Sequence, residues 1–241
     1  MRIGILLCDE HYPESLDEFG TYDQDFITML STCGDFTFSV WRCFNSEFPS
    51  SVDECNAWVL SGSKSSVYEP LPWIESLCDF VRRADQEKCP TVGVCFGHQL
   101  IHKALGGIVE KSQKGWGIGT RPFTIQSDFS LLQKEQTISL IVVHQDQVIT
   151  PADGFTCIAS SEFCPFAITT KSQHILTFQP HPEFSVPFFL QLLEQLRPKA
   201  GNKKVNDALL SISEHSGGDR TLIANVIYQF LIGEDSIVGP R

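Results

Sequence analysis

The chain has 241 residues, 42% hydrophobic and 20% charged, with 17 glycines and 13 prolines spread along it, which is the composition of a folded globular protein and excludes disordered and collagen-like chains. At this length roughly 70% of the unfolded chain's surface can be buried, so one well-filled core needs no disulfide or metal support. Lys and Arg number 18 against 29 Asp and Glu, a net charge of −11 with no basic block, which argues against nucleic acid and anionic membrane as partners.

Residues 2–8 (RIGILLC) form a continuous apolar run of strand length, the pattern of a strand covered on both faces. The run is too short and wrongly flanked for a signal peptide, and no later stretch approaches the ~20 apolar residues of a membrane span. Residues 20–32 carry Tyr22, Phe26, Met29 and Leu30 at helical spacing, and residues 36–44 alternate as a strand does. Residues 56–61 (NAWVLS) predict a further buried strand that runs into a loop rich in Gly, Ser and Pro. Trp73, Ile74, Leu77, Cys78 and Val81 then mark one face of a helix that Pro70 and Pro72 help to start. Residues 89–94 (CPTVGV) predict a buried strand, followed by a helix over 96–105 that Gly106 and Gly107 end.

Strands alternating with helices imply an α/β fold: a mostly parallel central sheet with helices on both faces. From residue 115 the pattern turns β-rich, with segments 115–125, 138–148, 155–160 and 174–179. A helix follows Pro187, and residues 220–232 read as a last amphipathic helix. No repeat or linker divides the chain, so the expected organisation is a catalytic unit over residues 1–195 with a helical extension, 196–241, packed on the same domain.

Nine cysteines, an odd number without a C-x-x-C pair, read as reduced thiols and favour a cytoplasmic protein. Cys95 stands apart. Gly93-Val94-Cys95-Phe96-Gly97 lies between an apolar strand and a helix and has the small-x-nucleophile-x-small form of a nucleophile elbow. Side chains at the flanking positions of so tight a turn would meet neighbouring backbone, and the helix amino terminus beyond it favours negative charge. An elbow cysteine needs a base. His181 is followed two residues later by a carboxylate at a strand end, in His181-Pro182-Glu183. Residues i and i+2 of an extended segment point the same way, so Glu183 can orient the imidazole, and Pro182 favours that extended shape.

These motifs together, GVCFGHQLI, QPHPEF and an SGS loop after a strand, resemble the class I (triad) glutamine amidotransferase superfamily over about residues 1–195. The nearest likeness is to its stand-alone γ-glutamyl peptidase and GMP-synthase-like branch. The resemblance implies a flavodoxin-like fold and a Cys95, His181, Glu183 triad in which Cys95 forms a γ-glutamyl thioester. It implies an oxyanion hole from the backbone N–H groups of Phe96 and Gly62. It also implies glutamyl binding by Gln99 and by the segment Val143, His144 and Gln145.

Two departures from the usual pattern are visible. SGS replaces a Gly-Gly-Pro type loop, which leaves a backbone donor in place. Val143-His144-Gln145-Asp146 replaces Ser-His-Gly-Asp, which keeps γ-glutamyl peptides in view beside glutamine. The expected partner is therefore a small γ-glutamyl substrate, with no cofactor and no metal. Alternatives are a glutaminase subunit that passes ammonia to a separate synthetase, and a non-catalytic regulatory module that keeps the fold. Self-association through the C-terminal helices also stays open.

Several patterns read more simply. His98 and His102 are spaced like the histidines of a zinc-protease helix, but Gln99 stands where that motif needs Glu, so they read as helix-surface or supporting residues. Ser216-Gly217-Gly218-Asp219 is one residue short of a pyrophosphatase loop and reads as a turn and helix cap. Trp116 reads as a hairpin packer or a substrate contact, Phe184 as core, and Gly117-Ile118-Gly119-Thr120 lacks the third glycine of a dinucleotide loop.

Overall fold

The computed structural model of the protein describes residues 1–215 and 218–233. Strands and helices alternate through its first part: β1 (Arg2–Leu7), α1 (Pro13–Phe19), α2 (Tyr22–Ser31), β2 (Thr37–Arg42), β3 (Ala57–Leu60), α3 (Pro72–Gln86), β4 (Thr91–Val94) and α4 (Phe96–Ala104). Seven strands follow: β5 (Ile108–Lys111), β6 (Gly117–Ile125), β7 (Thr137–His144), β8 (Asp146–Thr150), β9 (Phe155–Ser160), β10 (Ile168–Lys171) and β11 (Ile175–Phe178). The helices α5 (Val186–Ala200), α6 (Asn202–His215) and α7 (Arg220–Ile232) come last.

The short apolar strands owe their composition to cover on both faces: every residue of β3, β4 and β11 is buried. Ile3, Ile5 and Leu7 of β1 join one apolar layer with Phe26, Phe189 and Ile227, from α2, α5 and α7. Leu6 joins a second layer with Leu77, Phe80 and Ile101, from α3 and α4. Successive side chains of a strand point to opposite faces, so helices lie on both sides of the sheet. None of the described helices is long and apolar enough to cross a membrane.

The nine-stranded sheet has the order β2-β1-β3-β4-β11-β10-β9-β6-β7, and β5 pairs with β8 in a separate ribbon. The first five strands of that order run parallel and the pairings from β11 to β7 are antiparallel. The α/β class implied by the alternation is therefore present. Segment 138–148, which reads as one strand, is divided at Gln145 between β7 in the large sheet and β8 in the ribbon. β5 and β10 had no clear signal, because IVEK and ITTK are short and carry neither an apolar run nor a clean alternation.

The register of β4 with β11 positions the site. Thr91 to Val94 pair with Ile175 to Phe178, and Cys95 donates its N–H to the Phe178 carbonyl at 2.7 Å. The residues just beyond these neighbouring parallel strands therefore meet. The antiparallel half curls back over them: β7 is the last strand, yet the Ile141 carbonyl accepts from the His181 N–H at 2.8 Å.

The elbow is as tight as its glycines imply. A Cβ on Gly93 would lie 2.7 Å from the Gly97 carbonyl oxygen, and one on Gly97 would lie 2.5 Å from the Leu60 carbonyl oxygen. Backbone on the far side of each contact cannot swing aside. Gly97→Ala should destabilise the fold by about 1–3 kcal/mol, as overpacking does, and lower the melting temperature by about 2–4 °C per kcal/mol in a thermal scan. An unchanged melt would show that the β3 and α4 backbones separate freely.

Candidate active site

Cys95 occupies the N-cap position of α4 with φ 52° and ψ −103°, a conformation L residues rarely adopt, and holding it costs on the order of 1–3 kcal/mol. Its side chain is almost wholly buried, with Sγ 3.8 Å from the Val143 carbonyl oxygen. The other eight cysteines are likewise free thiols, and burial pushes those of Cys8 and Cys164 up to about 12.

His181 lies three residues past β11, and its Nδ1 is 2.7 Å from Glu183 Oε1. Cys95 and Glu183 both act electrostatically on the imidazole, and each favours its protonated form. Phe184 stacks flat on the ring, with centroids 4.1 Å apart and planes 4° apart. Glu183 is fully buried, and its Oε2 has no hydrogen-bond partner among the described residues.

Tyr22, at the start of α2, had only a helical-spacing role in the sequence, yet its hydroxyl donates to Glu183 Oε1 at 3.1 Å and lies 3.5 Å from His181 Nδ1. It also abuts Gly62: a Cβ there would be 2.3 Å from the hydroxyl and 3.2 Å from His181 Cε1. The spacing of Tyr22 with Phe26 signalled a core face, and nothing local could announce a partner so distant in the chain. Behind Tyr22, His11 stacks on its ring and has Nε2 3.0 Å from Asp25 Oδ2.

Gly62 follows β3 in a loop tied to the elbow by Gly97 N–H to Ser61 carbonyl, 3.1 Å, while Ser61 Oγ accepts from Cys8 N–H at 2.8 Å. Phe96 is the first residue of α4, where backbone N–H groups have no intrahelical acceptor. Gln99 is buried and donates through Nε2 to the Asp146 carbonyl and to Gln179 Oε1, at 2.8 and 3.0 Å. Val143, His144 and Gln145 line the same cleft as Cys95. The His144 Nδ1 to Asp146 carbonyl contact of 3.1 Å makes Nδ1 the donor and leaves Nε2 as an acceptor. Burial lowers the His144 pKa to about 4, so the ring is neutral.

This cleft has a volume of about 350 Å³. Beyond Cys95 its wall is apolar where α5 presents Phe188, Leu192 and Leu196, and Trp116 stands at its side. Lys64, Lys111 and Lys199 also line it. Lys64 is paired with Asp9 at 2.7 Å, whereas Lys111 and Lys199 have no carboxylate within salt-bridge distance among the described residues.

Of the two readings for His98 and His102, helix surface or supporting residue, the first does not hold: both are 0% exposed. The sheet covers the α4 face that carries them. His98 Nδ1 is 2.7 Å from Thr177 Oγ1, and His102 Nε2 is 2.9 Å from Thr169 Oγ1. Burial holds His102 down at about 4 and His98 well below its ordinary value. No group of three or more His, Cys, Asp and Glu with the geometry to hold a metal occurs among the described residues. Ser216 and Gly217 lie outside the described residues; Asp219 sits at the N-cap position of α7, but its carboxylate accepts from Ser139 N–H at 2.7 Å and not from the helix.

The profile of class-I glutamine amidotransferases matches residues 16–189. The chain belongs to that family. It is 27% identical over 236 residues to γ-glutamyl peptidase 3 of Arabidopsis thaliana, an alignment spanning 94% of each chain. It is 30% identical over 207 residues to the glutamine-hydrolysing GMP synthase of Streptococcus mutans, spanning 73% of this chain and 38% of that one. The crystal structure of a glutamine amidotransferase from Methylobacillus flagellatus superposes with a TM-score of 0.75 over 99% of this chain and 96% of that one, at 20% identity.

The electrostatics of His181 set a sign. Burial disfavours its charge, but the charges of Glu183 and then Cys95 outweigh burial and raise its pKa from 6.5 to about 10. A raised folded-state pKa means that the protonated ring stabilises the fold fully below about pH 6.5, and that this contribution drains away as pH rises through about 10. Glu183→Gln removes the largest raising influence, so the imidazole should titrate roughly two units lower or more. An NMR titration of the ring proton measures this, and an unmoved curve would show that Glu183 does not govern the ring.

Proposed function

We propose that this class-I glutamine amidotransferase is a cysteine hydrolase of γ-glutamyl amide bonds and favours γ-glutamyl peptides or conjugates over free glutamine. Cys95 as thiolate attacks the δ-carbonyl carbon, forming a C–S bond as the carbonyl oxygen becomes an oxyanion that the Phe96 and Gly62 N–H groups hold. Collapse of that intermediate breaks the C–N bond, and His181 gives its proton to the leaving amine. Water then attacks the thioester while His181 takes up a proton, and glutamate leaves with the thiolate restored. Glu183 keeps the imidazole oriented throughout. Gln99 and the segment Val143, His144 and Gln145 bind the glutamyl end.

The observation that carries this reading is that Cys95 and His181 line one cleft, with Glu183 buried 2.7 Å from the imidazole and the cysteine in a left-handed conformation at a helix start. The peptide preference is supported by the lining of the cleft, where the apolar face of α5 and Lys111 and Lys199, without a carboxylate partner among the described residues, suit a leaving group with apolar substance and a carboxylate. The likeness to γ-glutamyl peptidases is in keeping with it. Nine free thiols favour a reducing, cytoplasmic setting.

A second reading, supply of ammonia to a synthetase in trans, is favoured by the partial-length match to a GMP synthase. Glutaminase activity that rises only with an added synthetase would select it.

Glutamate release from glutamine and from a panel of γ-glutamyl dipeptides decides between these readings. The dipeptides should be cleaved faster, and strict preference for glutamine would overturn the peptide assignment. Cys95→Ser should lose at least about a thousandfold in kcat and fail to be labelled by a diazo-ketone glutamine analogue. Lys199→Glu should raise KM for dipeptides by roughly tenfold, the scale of one charge-assisted contact, and leave glutamine kinetics unaltered.

A further inference from the structure

The helix α7 lies beyond residue 189, where the family match ends, yet it reaches the site. Arg220, its first residue, donates from Nε to the Pro182 carbonyl at 2.9 Å and from a terminal nitrogen to the Glu183 carbonyl at 2.8 Å. One planar guanidinium thereby fixes the two successive peptide units that flank Glu183, Pro182–Glu183 and Glu183–Phe184, a geometry that the point charge of lysine does not reproduce. The Glu183 carboxylate needs such support, because among the described residues only its Oε1 is engaged and the group is fully buried.

Arg220 is itself held to a fixed reference. The Asp219 N–H donates to the Ser139 carbonyl at 2.8 Å, and the Asp219 carboxylate accepts from Ser139 N–H. Gly218, at φ +75°, packs so closely that a Cβ would come 2.1 Å from the Ser139 oxygen. Ser139, Ile141 and Val143 are alternate residues of β7, and their carbonyls receive Asp219 N–H, His181 N–H and Cys95 Sγ in turn. Pro122, which has no N–H, stands opposite Ser139 in β6, consistent with Ser139 turning its backbone outward. One strand edge thus spaces the start of α7, the histidine and the cysteine at two-residue steps of about 7 Å.

We propose that Arg220 is a positioning residue for catalysis: its guanidinium locks the His181-Pro182-Glu183 segment in the conformation that brings the carboxylate to the imidazole, which makes α7 part of the catalytic unit. The inference rests on the Cys95-His181-Glu183 reading and deepens it. The charged and titratable groups around His181 are Glu183 in its own segment, Cys95 at α4, Tyr22 and behind it Asp25 on α2, His144 on β7 and Arg220 on α7.

The test follows alkylation of Cys95 by iodoacetamide in the full-length protein across pH, together with dipeptide turnover and thermal melting. His181→Ala should slow the alkylation of Cys95. Arg220→Gln and Arg220→Lys should both reduce that reactivity and lower kcat by roughly tenfold or more, with KM within about twofold, the pattern of displaced catalytic groups.

Lysine keeps the charge and loses the fork, so a wild-type profile in Arg220→Lys would reduce the role of Arg220 to charge alone and overturn the proposal. Folded Arg220 variants with wild-type reactivity and turnover would overturn it too. If His181→Ala leaves Cys95 unchanged, the triad reading falls and this inference falls with it. Should the Arg220 variants not fold, Asp219→Asn, which loosens the tether and leaves the guanidinium in place, should shift reactivity in the same direction by less. A wild-type profile there would then count against the assignment.

Discussion

Parallel pairing of β4 with β11 is the constraint on which the rest of the molecule depends. Each strand has only four residues, and every one of them is buried, so the pairing is strong where it exists and has little length over which to be redundant. A slip of one residue would turn every side chain of β11 to the opposite face. A buried polar thread ties β11 to α4, the helix that follows β4, and to β10. His98 meets Thr177, Thr177 meets Thr169 at 2.6 Å, and Thr169 meets His102, which accepts from the Ala152 N–H at 3.1 Å. That last bond fixes the tautomer: Nδ1 of His102 is the acceptor, so Nε2 carries the proton and donates to Thr169. Two histidines that burial keeps neutral at neutral pH are therefore structural pegs between helix and sheet.

On this frame the cleft combines a strained cysteine with a crowded ring of aromatic side chains. The left-handed backbone at Cys95 is unfavourable by itself, and it persists because the close approach of Gly97 to β3 leaves the turn no room to relax. Tyr22 touches both the carboxylate that faces His181 and the glycine after β3, which couples the positions of those two elements through one phenol. Stacking of Phe184 on the imidazole and of Phe188 on His11, with centroids 4.2 Å apart, excludes water from the faces of both rings.

The alternation of apolar runs and amphipathic helices made the parallel half of the sheet legible, because each of its strands is buried on both faces and each helix has one apolar stripe. The elbow was legible for the same local reason: a tight turn needs its glycines, and Gly93 and Gly97 stand where backbone leaves no space. Tyr22, Arg220 and the buried state of His98 and His102 were not. Their roles come from elements that meet only after the antiparallel half has curled over the strand ends, and no hydrophobic period encodes that curl. The break at Gln145 was hidden likewise, since the apolar content of residues 138–148 is continuous while its two parts serve different sheets.

β7 is a terminal strand of eight residues, and such strands invite a second polypeptide to add to their unpaired side. Here the outward carbonyls at Ser139 and Ile141 are taken up by the chain's own α7 start and histidine segment. Were that segment to peel away, a ladder of vacant acceptors would be laid bare to neighbouring molecules. Occupation of these acceptors thus also guards the sheet edge against pairing with other chains, and aggregation should begin where the start of α7 and the histidine segment detach.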